Sequence, residues 1–305
     1  HLRVPEIGPA ADPALVFLSR LAGLGMAQGD ITPATDTQAE RAAVALQRIR
    51  AKRAAEYKAM MRTGFVRSCP LCGYSGEFAP VGTPPRLDGM CPSCNSRERH
   101  RLFKLWLDRE KPISKDHRVL HFAPEGVLKP VVQPLAGSYV TADFMAPGVD
   151  LRLNIEALDL ADGSFDVIIA HQILEHVDHH KALAECFRVL SAGGMMIATT
   201  PIIEAWDKTY VNPAITARRD RVLHFGQADH SRYFGRDLKD DMRAAGFDLV
   251  EYVSQEPDVS THALIRGETR FILTKPQSAK PLRAAAKTSK TRTPASPQAK
   301  TPKKG

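Results

Sequence analysis

The chain has 305 residues, 43% of them apolar and 25% charged, which are ordinary values for a globular protein and enough for one large domain plus a small one. No run approaches the ~20 apolar residues needed to cross a bilayer, and Arg20 interrupts the mildly apolar stretch Pro13 to Met26. That stretch also lacks a basic start followed by a small-residue cleavage site, so a cytoplasmic protein is expected. The net charge of +8 is unevenly spread. Residues 1–118 carry 19 Lys/Arg against 12 Asp/Glu, residues 119–274 carry 14 against 22, and residues 275–305 carry 9 against none. An acidic middle suits a small cationic cofactor better than a polyanion.

In chain order, residues 1–36 are rich in Pro, Gly, Asp and Ala and read as a loose segment with one short helix near Ala14 to Leu21. Residues 37–64 hold a basic helix, expected over Thr37 to Met61, whose charged residues read as a solvated face. Residues 65–112 form a cysteine-paired module and a linking helix, Ser96 to Glu110. From 113 to 274 the rhythm changes. Strands are expected at Val119 to Phe122, Ser138 to Ala142, Phe165 to Ala170, Met195 to Thr199, Phe247 to Val253 and Ala263 to Thr274. Helices are expected at Glu125 to Pro134, His179 to Leu190 and Gly235 to Ala245. Alternation of this kind predicts an α/β domain with a parallel sheet covered by helices. The polar stretch Ala205 to Arg232 reads as a long lid-like connection. Residues 275–305, all Lys, Arg, Ala, Pro, Ser, Thr and Gln apart from one Leu and a final Gly, cannot bury a core and read as a disordered tail.

Cys69-Pro-Leu-Cys72 and Cys91-Pro-Ser-Cys94 are separated by 18 residues. Each pair lets a tight turn aim two thiolates at one ion, and two such turns complete a tetrahedral sulfur shell that favours Zn2+. Four thiolates leave no open position, so the metal is expected to be structural. Arg97, Arg99, His100 and Arg101 just after the module keep contact with nucleic acid open. Cys186, on the apolar side of a helix, reads as a buried small hydrophobe.

A dinucleotide-like or nucleoside cofactor on a parallel sheet sits beyond the carboxyl ends of the strands. Ala123-Pro-Glu125-Gly126 follows the first strand. Asp143 ends the second, 21 residues after Phe122, the spacing expected of a ribose-binding acid. Asn154 and Ile155 come next, suited to an adenine edge and face. His171 follows the strand Phe165 to Ala170. With Ser164-Phe165-Asp166, Leu174-Glu175-His176-Val177, Arg188-Val189-Leu190, Gly193-Gly194 and Ala244-Ala245-Gly246-Phe247, residues 117–274 resemble a class I S-adenosylmethionine-dependent methyltransferase of the type 11 group. The resemblance implies a Rossmann-like, seven-stranded, mostly parallel sheet with an antiparallel last strand. It implies S-adenosyl-L-methionine bound among Ala123, Glu125, Gly126, Asp143, Asn154, Ile155 and His171, with Glu125 meeting the methionine ammonium. The first-strand loop departs from the family pattern: it is poor in glycine, and His121 stands where an acid is usual.

Candidate bases are His171 and His176, and in the long connection His224, Asp229, His230 and Tyr233; the catalytic set expected is His171, His230 and Asp229. His179 and His180 read as exposed residues at a helix start. The acceptor expected is a small molecule or saccharide. RNA is the alternative, reached through the zinc module and basic segments, and a non-enzymatic binding protein on the same fold is a third reading. The oligomeric state is not encoded in any motif.

Overall fold

The computed structural model describes residues 36–82 and 85–277. The expected helix near Ala14 to Leu21 and nearly all of the 275–305 tail lie outside the described residues. The chain divides into two units at Met60. The described part of the first is one helix, α1 (Asp36–Met60). It leaves Val44, Ile49 and Tyr57 exposed along with its basic residues.

The second unit opens with two small hairpins. β1 (Arg67–Ser68) pairs antiparallel with β2 (Ser75–Gly76), and β3 (Ala79–Val81) pairs antiparallel with β4 (Arg86–Met90). Helix α2 (Glu98–Glu110) follows. The main sheet then builds from β5 (Arg118–Phe122), β6 (Ser138–Asp143), β7 (Leu151–Arg152), β8 (Phe165–His171), β9 (Leu190–Thr199), β12 (Asp248–Val253) and β13 (Thr269–Thr274). Its order is β12-β13-β9-β8-β5-β6-β7. β7, β6, β5, β8 and β9 are parallel, while β13 runs antiparallel to both neighbours. This is a seven-stranded Rossmann-like sheet. Strand order reverses between β5 and β8, which opens a crevice at their carboxyl ends.

Both faces of the sheet are covered, so the central strands are largely apolar on both faces rather than alternating with polar residues, with His121 and His171 the buried exceptions in β5 and β8. On one face Leu120, Ile168, Met196 and Phe271 pack with Leu183, Cys186 and Phe187 of α4 (His179–Val189) and with Leu238 and Met242 of α6 (Leu238–Ala244). On the other face Val119, Val167, Ile169 and Ile197 pack with Leu128 and Val132 and with Phe103, Trp106 and Leu107 of α2. Each fully buried aliphatic side chain of this kind contributes about 1.5–3 kcal/mol. Cys186 is buried as a small apolar residue. The expected break at residue 112 is not a break in packing. The apolar side of α2 covers the sheet, and Leu71 of the module packs against the same cluster.

Several elements differ from the sequence expectation. The helix expected over Glu125 to Pro134 shrinks to α3 (Lys129–Val132). Pro130 is tolerated in its first turn, but Pro134 stops it. β7, two residues long, carries no periodic signal. The long connection holds β10 (Tyr210–Val211), α5 (Arg218–Phe225) and β11 (Arg232–Tyr233), with β10 and β11 paired antiparallel. The closing strand starts at Thr269, not Ala263. A short helix, α7 (Asp258–His262), precedes it, and left-handed Ala263 and Gly267 break the chain between them.

Candidate functional site

The four cysteines converge. Cys69 Sγ lies 3.6 Å from Cys94 Sγ, and Cys72 Sγ lies 3.8 Å from Cys91 Sγ. A tetrahedral ion with zinc–sulfur bonds of about 2.3 Å requires sulfur–sulfur edges of about 3.8 Å. The two knuckles share one turn. Gly73 N–H donates to the Cys69 carbonyl and Asn95 N–H to the Cys91 carbonyl, each at 2.9 Å, and both turning residues are left-handed. Asn95 thus does at the second knuckle what glycine does at the first. Ser96 Oγ lies 3.4 Å from Cys69 Sγ and 3.2 Å from Cys94 Sγ. Although burial opposes it, hydrogen bonds from the Tyr74 backbone and the Ser93 side chain bring the Cys72 thiol down to about 7, whereas burial pushes Cys91 up to about 12.

The basic segment after the module turns inward. Arg101 is fully buried and donates to the carbonyls of Ser96 and His262 at 2.7 Å and of Ala263 at 2.6 Å. Arg99 forms an ion pair with Glu125, and His100 is buried. Of the four residues held open for nucleic acid, His100 and Arg101 are therefore buried in the fold and Arg99 is paired with Glu125.

At the carboxyl edge of the sheet, Ala123 follows β5 with φ 45°, a left-handed conformation unusual for a residue with a Cβ. Ala123, Gly126, Thr141 and Asp143 line a cavity of about 350 Å³. Asp143 Oδ1 accepts from the backbone N–H groups of Met145 and Ala146 at 2.7 Å each, which fixes the carboxylate at the end of β6. Glu125 Oε2 is buried and has no hydrogen-bond partner. The tight turn and the fixed acid fit the ribose end of a nucleoside cofactor, while Glu125 is not among the residues lining this cavity.

Glu125 is nonetheless already engaged on its other oxygen. His100 Nδ1 accepts from the Arg97 N–H at 3.0 Å, so Nε2 carries the proton and donates to Glu125 Oε1 at 2.7 Å. Burial alone would raise the Glu125 carboxyl, but the hydrogen bond from His100 and the charge of Arg99 hold it well below the usual carboxylate range. His171 faces the same group: its Nε2 accepts from Arg270 Nη1 at 2.7 Å, which leaves Nδ1 protonated, 3.7 Å from Glu125 Oε2. Burial, aided by the Arg270 charge, lowers His171 to about 3.

The other expected site residues are scattered. Asn154 is exposed, with Oδ1 accepting from the Glu156 N–H at 3.0 Å, and Ile155 is in the core beneath it rather than on the cavity wall. Asp229 is exposed. His230 is buried, with Nδ1 3.1 Å from the Phe225 carbonyl. His179 is buried rather than exposed, its Nε2 3.0 Å from Asp241 Oδ2 and its Nδ1 on Arg232, because α4 begins against α6. His180 is exposed.

A second cleft of about 490 Å³ opens at the ends of β8 and β9, walled by Glu98, Arg99, Gln172, Thr200 and Glu268. Glu98 and Arg99 come from the helix that follows the cysteine module. Glu268 Oε2 is buried without a partner, and burial raises its carboxyl to about 7, against the opposing charge of Arg270. Sequence reasoning passed over Glu268 and Arg270. Two charged residues at the start of an otherwise apolar strand were the available signal.

Residues 138–198 match the family model described as a methyltransferase domain. A 57-residue stretch, 18% of this chain, is 44% identical to a probable S-adenosylmethionine-dependent methyltransferase of Mycolicibacterium smegmatis. A 52-residue stretch, 17% of the chain, is 36% identical to a probable S-adenosylmethionine-dependent methyltransferase of Mycobacterium tuberculosis. The matches span about a fifth of each relative, 22% and 19%. An S-adenosylmethionine-dependent methyltransferase from Mesorhizobium loti superposes with a TM-score of 0.42 at 14% identity, over 57% of this chain and 97% of that one. Among the described residues no helix is long and apolar enough to cross a membrane.

Proposed function

We propose that the chain is an S-adenosylmethionine-dependent methyltransferase acting on a small-molecule or saccharide acceptor, with Zn2+ held by Cys69, Cys72, Cys91 and Cys94. The observation that carries this reading is the pairing of two cavities along one sheet edge. One is bounded by Ala123, Gly126 and Asp143, the other by Thr200 and Glu268. The cofactor supplies an electrophilic sulfonium methyl. Asp143 holds the ribose, while Glu125, whose buried Oε2 faces His171, and Asn154 lie outside the lining of that cavity. The second cleft takes the acceptor, at a size suited to a small ligand.

Within that cleft Glu268 is the group suited to take a proton from the acceptor: it lines the cleft, its Oε2 has no partner, and burial raises its carboxyl to about 7. His171 is a positioning residue: both nitrogens face protein groups, and it stays neutral. His230 and Asp229 lie on the neighbouring segment. The four-thiolate site is structural, and it sets the helix that supplies Glu98 and Arg99 to the acceptor wall. The burial of His100 and Arg101 supports a compact acceptor over RNA. The test is incubation with methyl-labelled cofactor and separate pools of saccharides, small metabolites and RNA. Label in a saccharide or small-molecule fraction, at least tenfold reduced in Glu268→Gln, is the expected result. Label confined to RNA overturns the acceptor class.

A further inference from the structure

A second group of potential metal ligands lies beside the acceptor cleft, on residues that the methyl-transfer reading leaves without a task. Glu175, four residues beyond the end of β8, is 1% exposed. Its Oε2 accepts from Thr200 Oγ1 at 2.7 Å, and its Oε1 is buried with no hydrogen-bond partner. His176 follows it, and its ring centroid is 4.7 Å from that of buried His230. The two segments are fastened together, because the Ser231 N–H and hydroxyl both reach the Glu175 carbonyl at 3.2 Å.

The hydrogen-bond pattern fixes which nitrogens are free. His230 Nδ1 lies 3.1 Å from the Phe225 carbonyl and His176 Nδ1 3.3 Å from the Asp229 carbonyl. A carbonyl only accepts, so both Nδ1 atoms carry the proton and both Nε2 atoms keep a lone pair. Neither ring has an N–H left to give to Glu175 Oε1. One potential ligand atom from each of the three residues lies within 4.8 Å of the others. Backbone carbonyls that hold the far nitrogen of a histidine are also the usual support of a ligating imidazole. The nearby trio of His179, His180 and Asp241 lacks this vacancy, since both nitrogens of His179 are occupied by Asp241 and Arg232.

We propose that Glu175, His176 and His230 bind a divalent transition-metal ion, separate from the zinc of the cysteine module. Two neutral imidazoles and one carboxylate suit Mn2+, Fe2+, Co2+ or Zn2+ and leave coordination positions open. His176 is exposed, so the ion has a way in. Thr200 both bonds Glu175 and lines the acceptor cleft, which sets the ion at the cleft wall. There it would gather an acceptor offering a pair of oxygen ligands, as a diol does. That role rests on the methyltransferase reading; the binding of the ion does not.

The test uses the full chain loaded with zinc. Mn2+ is the probe, because a hard ion does not displace zinc from four thiolates. Titration followed by the paramagnetic resonance signal of free Mn2+ is expected to show one ion bound per chain. Glu175→Gln and His176→Ala are each expected to weaken it at least tenfold, while Asp241→Asn leaves it unchanged and zinc content stays constant in all variants. His176 is at the surface, so its variant keeps the comparison valid should the buried Glu175→Gln fail to fold. No Mn2+ bound by the folded, zinc-loaded protein, or binding that survives both substitutions, overturns the proposal. A parallel titration with S-adenosylmethionine separates the two readings. Cofactor binding without Mn2+ removes only the metal site, and Mn2+ binding without cofactor removes only the methyltransferase.

Discussion

His100 Nε2 lies 2.7 Å from Glu125 Oε1, so the helix after the cysteine pairs is bonded directly to the loop after the first strand of the sheet. The same oxygen takes the ion pair from Arg99. Through this carboxylate the zinc module reaches the place where the cofactor would bind. Glu125→Gln removes the charge and leaves Arg99 part-buried without its partner. The expected loss is about 3 kcal/mol of stability, together with weaker cofactor binding. Denaturant unfolding and calorimetry measure the two effects. A stability change below about 1 kcal/mol, inside the range of exposed ion pairs, would contradict this reading of the contact.

Zinc removal is expected to destabilise the whole second unit rather than release a loose ribbon. α2 is continuous with the module and supplies Phe103, Trp106 and Leu107 to the sheet core. Arg101 then ties the module to the carbonyls of His262 and Ala263 near α7. Chelation should therefore lower the melting temperature by several degrees in a single transition. A separate low-temperature transition, with the main one unmoved, would show that the module is an independent appendage.

Ala123 takes a conformation that costs a residue with a Cβ about 1 kcal/mol or more. Ala123→Gly relieves that strain and should be neutral to stabilising in spite of the added freedom of the unfolded chain. Ala123→Val should cost more than 1 kcal/mol and narrow the cavity beside Asp143. Thermal melts order the three proteins, and a Val variant as stable as the wild type would contradict the left-handed turn.

The fold was legible in the sequence because its central strands are short apolar runs separated by helix-length intervals, and because the cysteine spacing admits few geometries. Other features were not. β7 has two residues and no period, and Pro134 stopped a helix that composition alone extended. Arg101 and His100 read as surface charges because nothing local reveals that their partners are carbonyls some 160 residues away and a carboxylate 25 residues away. Glu268 escaped notice for the same reason: its near-neutral titration comes from burial, a property of the assembled cleft. His171 was correctly placed at the end of β8, but its role follows from Arg270, across the sheet.

Acid sensitivity follows from two buried histidines. Burial lowers His121 to about 4 and His171 to about 3, against about 6.5 in an unfolded chain. Above pH ~6.5 both states are neutral and no cost arises. As pH falls below that value the unfolded chain takes up protons that the folded one refuses, so stability falls by up to about 1.4 kcal/mol per pH unit for each histidine. Glu125, with its depressed pKa, adds a further loss only below the ordinary carboxylate range. Glu268, whose carboxyl burial raises to about 7, works the other way over the same window, so the test is a comparison: the change in urea midpoint on going from pH 7 to pH 5 should be less destabilising in His121→Phe than in the unsubstituted protein. The same pH response in both would mean that the His121 ring is not buried neutral.

The central claim is that the crevice at the ends of β5 and β6 holds S-adenosylmethionine. Calorimetric titration of the zinc-loaded chain with S-adenosylmethionine and S-adenosylhomocysteine, beside Asp143→Ala, tests it most directly. Micromolar binding of one ligand per chain is expected, weakened at least tenfold in the variant. A folded, zinc-loaded protein that binds neither ligand, or binds them equally well without Asp143, would contradict it.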